Sequence, residues 1–148
     1  MQRALPQILI VDDDDNDVFF TKRAIRKSRP DCRIAVAADG NQAIDILVNI
    51  NSLQLILLDL KMPGIGGIEI LLFIKDQERL KHIPVIVISS STMERDIQES
   101  YNAGAAKYIH KSHDLNEFTK SLTEALDIYL DKISFGIAAR GNVEYKSK

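Results

Sequence analysis

Short, almost uniformly aliphatic runs alternate with amphipathic stretches along most of the chain. The clearest are ILIV at residues 8–11, LILL at 55–58 and VIVI at 85–88; weaker runs lie at Arg33–Ala37 and Lys107–His110. Strands that lack polar alternation belong in a sheet covered on both faces. Between the runs, apolar positions recur with helical spacing over residues 16–28, 41–48, 68–77, 93–102 and 115–130. Strands alternating with helices in this way predict an α/β fold, a doubly wound parallel sheet built from five βα units. Gly104 is placed to stop the fourth helix, and Asp114 or Asn116 to start the fifth. Phe118, Leu122, Leu126, Tyr129 and Ile133 form that helix's apolar stripe. After Lys132 the period weakens into ISFGIAARGNVEYKSK, so a domain over residues 1–131 and a frayed, partly disordered extension over 132–148 are expected.

Composition adds limits rather than detail. A chain of 148 residues, 45% apolar and 27% charged, suits one globular domain with a sizeable core. A net charge of −2 provides no global field for nucleic acid or an acidic membrane surface. The basic run KRAIRKSR at residues 22–29 reads as a solvated helix face. Cys32 is the single cysteine and has no internal partner, which fits a reducing compartment. No run approaches the roughly 18 to 20 residues of a membrane span, and the N-terminus lacks a long apolar signal core. The expected location is cytoplasmic.

Ligands of open parallel sheets bind beyond the carboxyl ends of the strands, so the residues that follow each run carry the chemistry. Asp12 and Asp13 follow the first, Asp59 the third, Ser89-Ser90-Ser91 the fourth and Lys111 the fifth. In the common strand order 2-1-3-4-5 these polar ends converge on one rim. Carboxylates crowded there repel each other and are costly to bury, so they need raised pKa values or a cation among them. Magnesium, which takes oxygen ligands, fits this donor set; zinc fits less well without a second cysteine or a clear histidine pair. A carboxylate beside such an ion is a candidate nucleophile toward a phosphoryl group. Lys111 then neutralises phosphoryl oxygens, and Ser89, favoured over its neighbours by strand phase, donates a hydrogen bond. Asp14, Asp15 and Asp17 read as the start of the first helix. No Walker-type nucleotide cradle occurs, so the phosphate donor is another molecule.

The motifs ILIVDDD (8–14), LILLDLKMPGIGGIEIL (55–71), IPVIVISSS (83–91) and AGAAKYIHKS (103–112) occur in this order on the predicted strand ends. Together they resemble a receiver domain of a two-component response regulator, of the single-domain chemotaxis type, over about residues 7–131. The resemblance implies a flavodoxin-like sheet in the order 2-1-3-4-5. It implies phosphorylation of Asp59 by a sensor histidine kinase or histidine phosphotransfer protein, with magnesium held by Asp12, Asp13, Asp59 and the main-chain carbonyl of Lys61. It further makes Ser89 the switch hydroxyl, Tyr108 the switch aromatic and Lys111 the phosphate-binding lysine. Output to a downstream protein, or a homodimer, is implied through the fourth helix, fifth strand and fifth helix.

Three departures bear on this likeness. Ser112 follows Lys111 where many relatives have proline after a cis peptide; a cis bond to serine costs roughly 2.5 to 4 kcal/mol. Lys61 and Ser91 occupy the positions that tune acyl phosphate hydrolysis in the family, so an altered lifetime is expected. No effector follows the receiver, so a bound partner or further phosphotransfer is the expected output. The rival functions are a haloacid dehalogenase-type phosphatase and a receiver-like module that is never phosphorylated. The first usually has a second aspartate where this chain has Lys61, and an intact Asp12, Asp13, Asp59, Ser89 and Lys111 set argues against the second.

Overall fold

The computed structural model describes residues 7–141, with side chains through Leu130. Five strands and five helices alternate: β1 (Gln7–Val11), α1 (Asp15–Ser28), β2 (Arg33–Ala37), α2 (Gly40–Asn49), β3 (Leu55–Asp59), α3 (Gly67–Lys75), β4 (Val85–Ser89), α4 (Glu94–Asn102), β5 (Lys107–His110) and α5 (Leu115–Gly141). The strands form one parallel, flavodoxin-like sheet in the order β2-β1-β3-β4-β5.

The aliphatic runs are buried on both faces because alternate residues serve opposite cores. Leu9, Val11, Ile56, Leu58, Val85 and Val87 pack with Ala43 and Leu47 of α2 and Ile70, Leu71 and Ile74 of α3. Ile8, Ile10, Leu55, Leu57, Ile86, Ile88 and Ile109 pack instead with Ala24 and Ile25 of α1 and Phe118, Leu122, Leu126 and Leu130 of α5. Tyr129 joins this second core, and its hydroxyl donates to the Ala106 carbonyl. The Ile133 side chain falls outside the described side chains. α4 departs from the pattern: its buried residues are Asp96 and Ser100.

Carboxylate caps start three helices. Asp14 accepts from the Asp17 amide, Asp39 from Gln42, and Asp114 from Asn116 and Glu117. Gly104, at φ +110°, follows α4 as a stop in a conformation that favours glycine. The Lys111–Ser112 peptide is trans, as are all peptide bonds among the described residues. α5 differs from expectation, remaining helical to Gly141 where fraying after Lys132 is predicted. No proline interrupts the stretch, although Gly136 and the β-branched Ile133 and Ile137 are poor helix formers. The rest of the expected extension, residues 142–148, lies outside the described residues. No described helix is long and apolar enough to cross a membrane.

Candidate functional site

The sheet topology places the carboxyl ends of β1, β3, β4 and β5 in one row. Asp12 continues β1, its amide N–H donating a hydrogen bond to the Ala37 carbonyl, and its buried Oδ1 accepts from the Asp14 amide at 2.9 Å. Asp59 is the last residue of β3 and is also buried. Asp13 is exposed at the rim. A carboxylate oxygen from each of Asp12, Asp13 and Asp59 lies within 4.8 Å of the others.

Lys111 is carried to this cluster by its amide, which bonds the Ser89 carbonyl at 2.7 Å. Its ammonium lies 2.7 Å from Asp17 Oδ2, 3.1 Å from Asp12 Oδ2 and 3.5 Å from Asp59 Oδ1. Burial pushes the Asp59 carboxyl up to about 6, opposed by the Lys111 charge and reinforced by that of Asp12. Burial also raises Asp12, with the Asp14 amide and Lys111 working against it. For Lys111, burial favours the neutral amine, but the hydrogen bond to Asp17 and the charges of Asp59 and Asp12 prevail and raise its pKa. One ammonium faces more carboxylates than it can neutralise. An all-oxygen donor set with residual negative charge suits a hard divalent cation.

Ser89 ends β4 fully buried, and its Oγ accepts from the Ser91 amide at 3.1 Å. Ser91 has three further contacts. Its hydroxyl donates to Asp96 Oδ2 at 2.5 Å, its Oγ accepts from the Met93 amide, and its carbonyl accepts from the Tyr108 hydroxyl at 2.8 Å. The Lys61 ammonium lies 3.4 Å from the same Asp96 oxygen, and the Ser91 hydrogen bond is the main reason the Asp96 pKa is lowered. Tyr108 is half-buried against the α2/α3 core, and its amide donates to the Tyr101 hydroxyl. His110 contacts the Ser90 carbonyl at 3.2 Å.

Asp12, Asp13, Asp59 and Lys111 are thus brought together, with Ser89 at the adjoining strand end and Tyr108 linked to it through Ser91. Sequence reasoning missed Asp17 and Asp96 as parts of this constellation. Asp17 lies in the first turn of α1, three residues after the Asp14 cap, so the helix start that follows Asp12 and Asp13 keeps it near the same rim. Asp96 carries no comparable signal.

A parallel sheet in this order, with acids and a lysine at its carboxyl rim, defines a receiver-type scaffold. The profile of the response regulator receiver domain matches residues 8–123, and the chain belongs to that family. It is 30% identical over 137 residues to the response regulator Rcp1 of Synechocystis sp., spanning 88% of this chain and 93% of that protein. Among solved structures, the phosphorylated cyanobacterial phytochrome response regulator RcpA superposes with a TM-score of 0.80 at 32% identity, covering 87% of this chain and 96% of that one. The Mn(2+)-bound form of Rcp1 gives a TM-score of 0.76 at 31% identity, covering 84% and 94%. Receiver domains of this family bind a divalent metal and interact with histidine kinases or phosphotransfer proteins. The phosphatase alternative is not favoured by these relationships.

Proposed function

We propose that Asp59 accepts a phosphoryl group from a phosphohistidine on a sensor histidine kinase or histidine phosphotransfer protein. One observation carries the reading: the buried Asp59 carboxylate lies 3.5 Å from the Lys111 ammonium and within 4.8 Å of oxygens of Asp12 and Asp13. With its pKa near 6, Asp59 is mostly ionised at neutral pH and available as a nucleophile. A carboxylate oxygen bonds to phosphorus as the phosphorus–nitrogen bond breaks. The imidazole nitrogen leaves with that electron pair and takes a proton, and Asp59 becomes an acyl phosphate.

Asp12, Asp13, Asp59 and the main-chain carbonyl of Lys61 are the groups that would hold magnesium. When bound, the ion offsets carboxylate repulsion and neutralises phosphoryl oxygens. Lys111 provides an ammonium for one phosphoryl oxygen, and the Ser89 hydroxyl hydrogen is available to another because its Oγ acts as acceptor toward Ser91. Moving Ser89 disturbs the hydrogen bond that the Ser91 amide donates to it, and Ser91 is tied to Tyr108 and α4, so the new charge reaches the α4–β5–α5 face. That face would present the signal to a downstream protein or to a second copy of the chain. The protein is then a cytoplasmic phosphoprotein and signalling switch whose only reactions are its own phosphorylation and slow dephosphorylation.

Incubation with acetyl phosphate and magnesium, followed by intact-mass analysis, should add one phosphoryl group to the wild type and none to Asp59→Asn. Labelling of Asp59→Asn to the same extent, or labelling indifferent to magnesium, would rule the mechanism out.

A further inference from the structure

Asp96 is the one buried carboxylate among the described residues that lies outside the Asp12–Asp59–Lys111 cluster. It lies in the first turn of α4, where an acid is favoured by the helix dipole. That role requires neither burial nor a lysine from another loop. Yet the Asp96 side chain is only 6% exposed, receives the Ser91 hydroxyl at 2.5 Å and pairs at 3.4 Å with Lys61, whose side chain is 63% exposed. Lys61 also lies beside the phosphoacceptor: its amide is 3.4 Å from Asp59 Oδ1. An exposed four-carbon stem rooted there can carry its ammonium either to Asp96 or toward Asp59.

We infer that Asp96 is a positioning residue for the phosphoacceptor site, holding the Lys61 ammonium away from Asp59 and releasing it when phosphoryl charge arrives there. The inference rests on the reading of Asp59 as phosphoacceptor. In the resting protein the Ser91 hydroxyl fixes the Asp96 carboxylate, and the carboxylate retains Lys61. A dianionic group on Asp59 offers that ammonium a stronger partner. Transfer of Lys61 breaks a contact between the loop after β3 and the first turn of α4, so the charge at Asp59 and the seating of α4 become coupled through one side chain. Retention of Lys61 opposes phosphoryl binding, because the Lys61–Asp96 pair must separate first.

Asp96→Asn keeps an acceptor for the Ser91 hydroxyl and removes the charge. Beryllofluoride, titrated in magnesium against wild type, D96N and the double variant D96N/K61A, separates positioning from helix stabilisation. D96N is expected to bind about threefold to fivefold more tightly than wild type, the scale of a partly exposed ion pair. The double variant, compared with K61A alone, is expected to show no such gain. A purely structural Asp96 would lower the melting temperature and leave beryllofluoride affinity unchanged; that result, or a gain that persists without Lys61, overturns the inference. If D96N does not fold, the wild-type protein provides the test through the carboxyl-carbon resonance of Asp96. It should move on beryllofluoride addition toward its position in K61A, and a stationary resonance overturns the inference. Absence of any wild-type binding that Asp59→Asn abolishes would instead remove the phosphoacceptor reading, and this inference with it.

Discussion

Burial holds the Asp59 carboxyl at about 6 against an ordinary 3.8, so the folded protein keeps this proton more firmly than the unfolded chain does. Between these values the native state binds more protons, and stability therefore falls as pH rises from about 4 to about 6, then levels off. The shift of about two units corresponds to at most about 3 kcal/mol. Asp12 acts in the same direction, whereas the raised Lys111 contributes stability that is fully present throughout this range. The metal-free wild type should thus lose melting temperature across the window, while Asp59→Asn shows a shallower profile. Magnesium should raise the wild-type melting temperature more at pH 7.5 than at pH 5, since only the ionised carboxylates need the cation. A profile flat in pH for the wild type, read by differential scanning calorimetry, would contradict the assigned burial cost.

The elements hold the site rigid through backbone contacts at their ends. Gly67, the first residue of α3, lies so close to the end of β3 that an added Cβ would come 2.5 Å from the Asp59 carbonyl oxygen and 2.8 Å from Leu60 Cα. Neither atom belongs to a flexible side chain, so Gly67→Ala must displace α3 or the Asp59 backbone. It should cost about 2 kcal/mol or more by urea denaturation and weaken magnesium binding at the same time. Gly66→Ala, whose nearest neighbour is a Glu69 oxygen at 3.8 Å, is the tolerated control; equal losses from both would refute this account. Element by element, the sequence pattern is readable where burial is uniform. The runs at 55–58 and 85–88 mark β3 and β4, which each continue one residue further because Asp59 and Ser89 are buried strand residues despite their polarity. Strand phase likewise identifies the fully buried Ser89 among its serine neighbours. Hydrophobic periodicity is silent about what α4 buries, because that face is Asp96 and Ser100. The Asp17–Lys111 pair, at 2.7 Å, joins residues far apart in sequence, so only the packing of α1 against α5, with Lys111 in the loop that leads into α5, reveals it. The length of α5 escapes periodicity as well, since the helix runs to Gly141, past the point where its apolar stripe weakens.

At the scale of the whole molecule, two cores lie back to back on one sheet, and neighbouring residues of a single strand belong to different cores. Leu57 faces α1 and α5; Leu58 faces α2 and α3; both are essentially inaccessible to solvent. The strand between them cannot lose one core without losing the packing that fixes its pairing with β1 and β4. The two cores should therefore unfold together, and the acidic rim with them, because Asp59 is the next residue of the same strand. Leu57→Ala and Leu58→Ala should each cost about 2 to 5 kcal/mol, the range for a leucine truncated in a packed core. Either variant should still unfold in one transition, with far-ultraviolet circular dichroism and tyrosine fluorescence coincident along the urea axis. Magnesium, by binding only the folded state, should shift both midpoints upward. Two separated transitions in either variant would show that the faces are independent units. Coupling between the rim and the helices would then have to pass through side chains such as Asp96 and Tyr108 alone, without the shared strand beneath them.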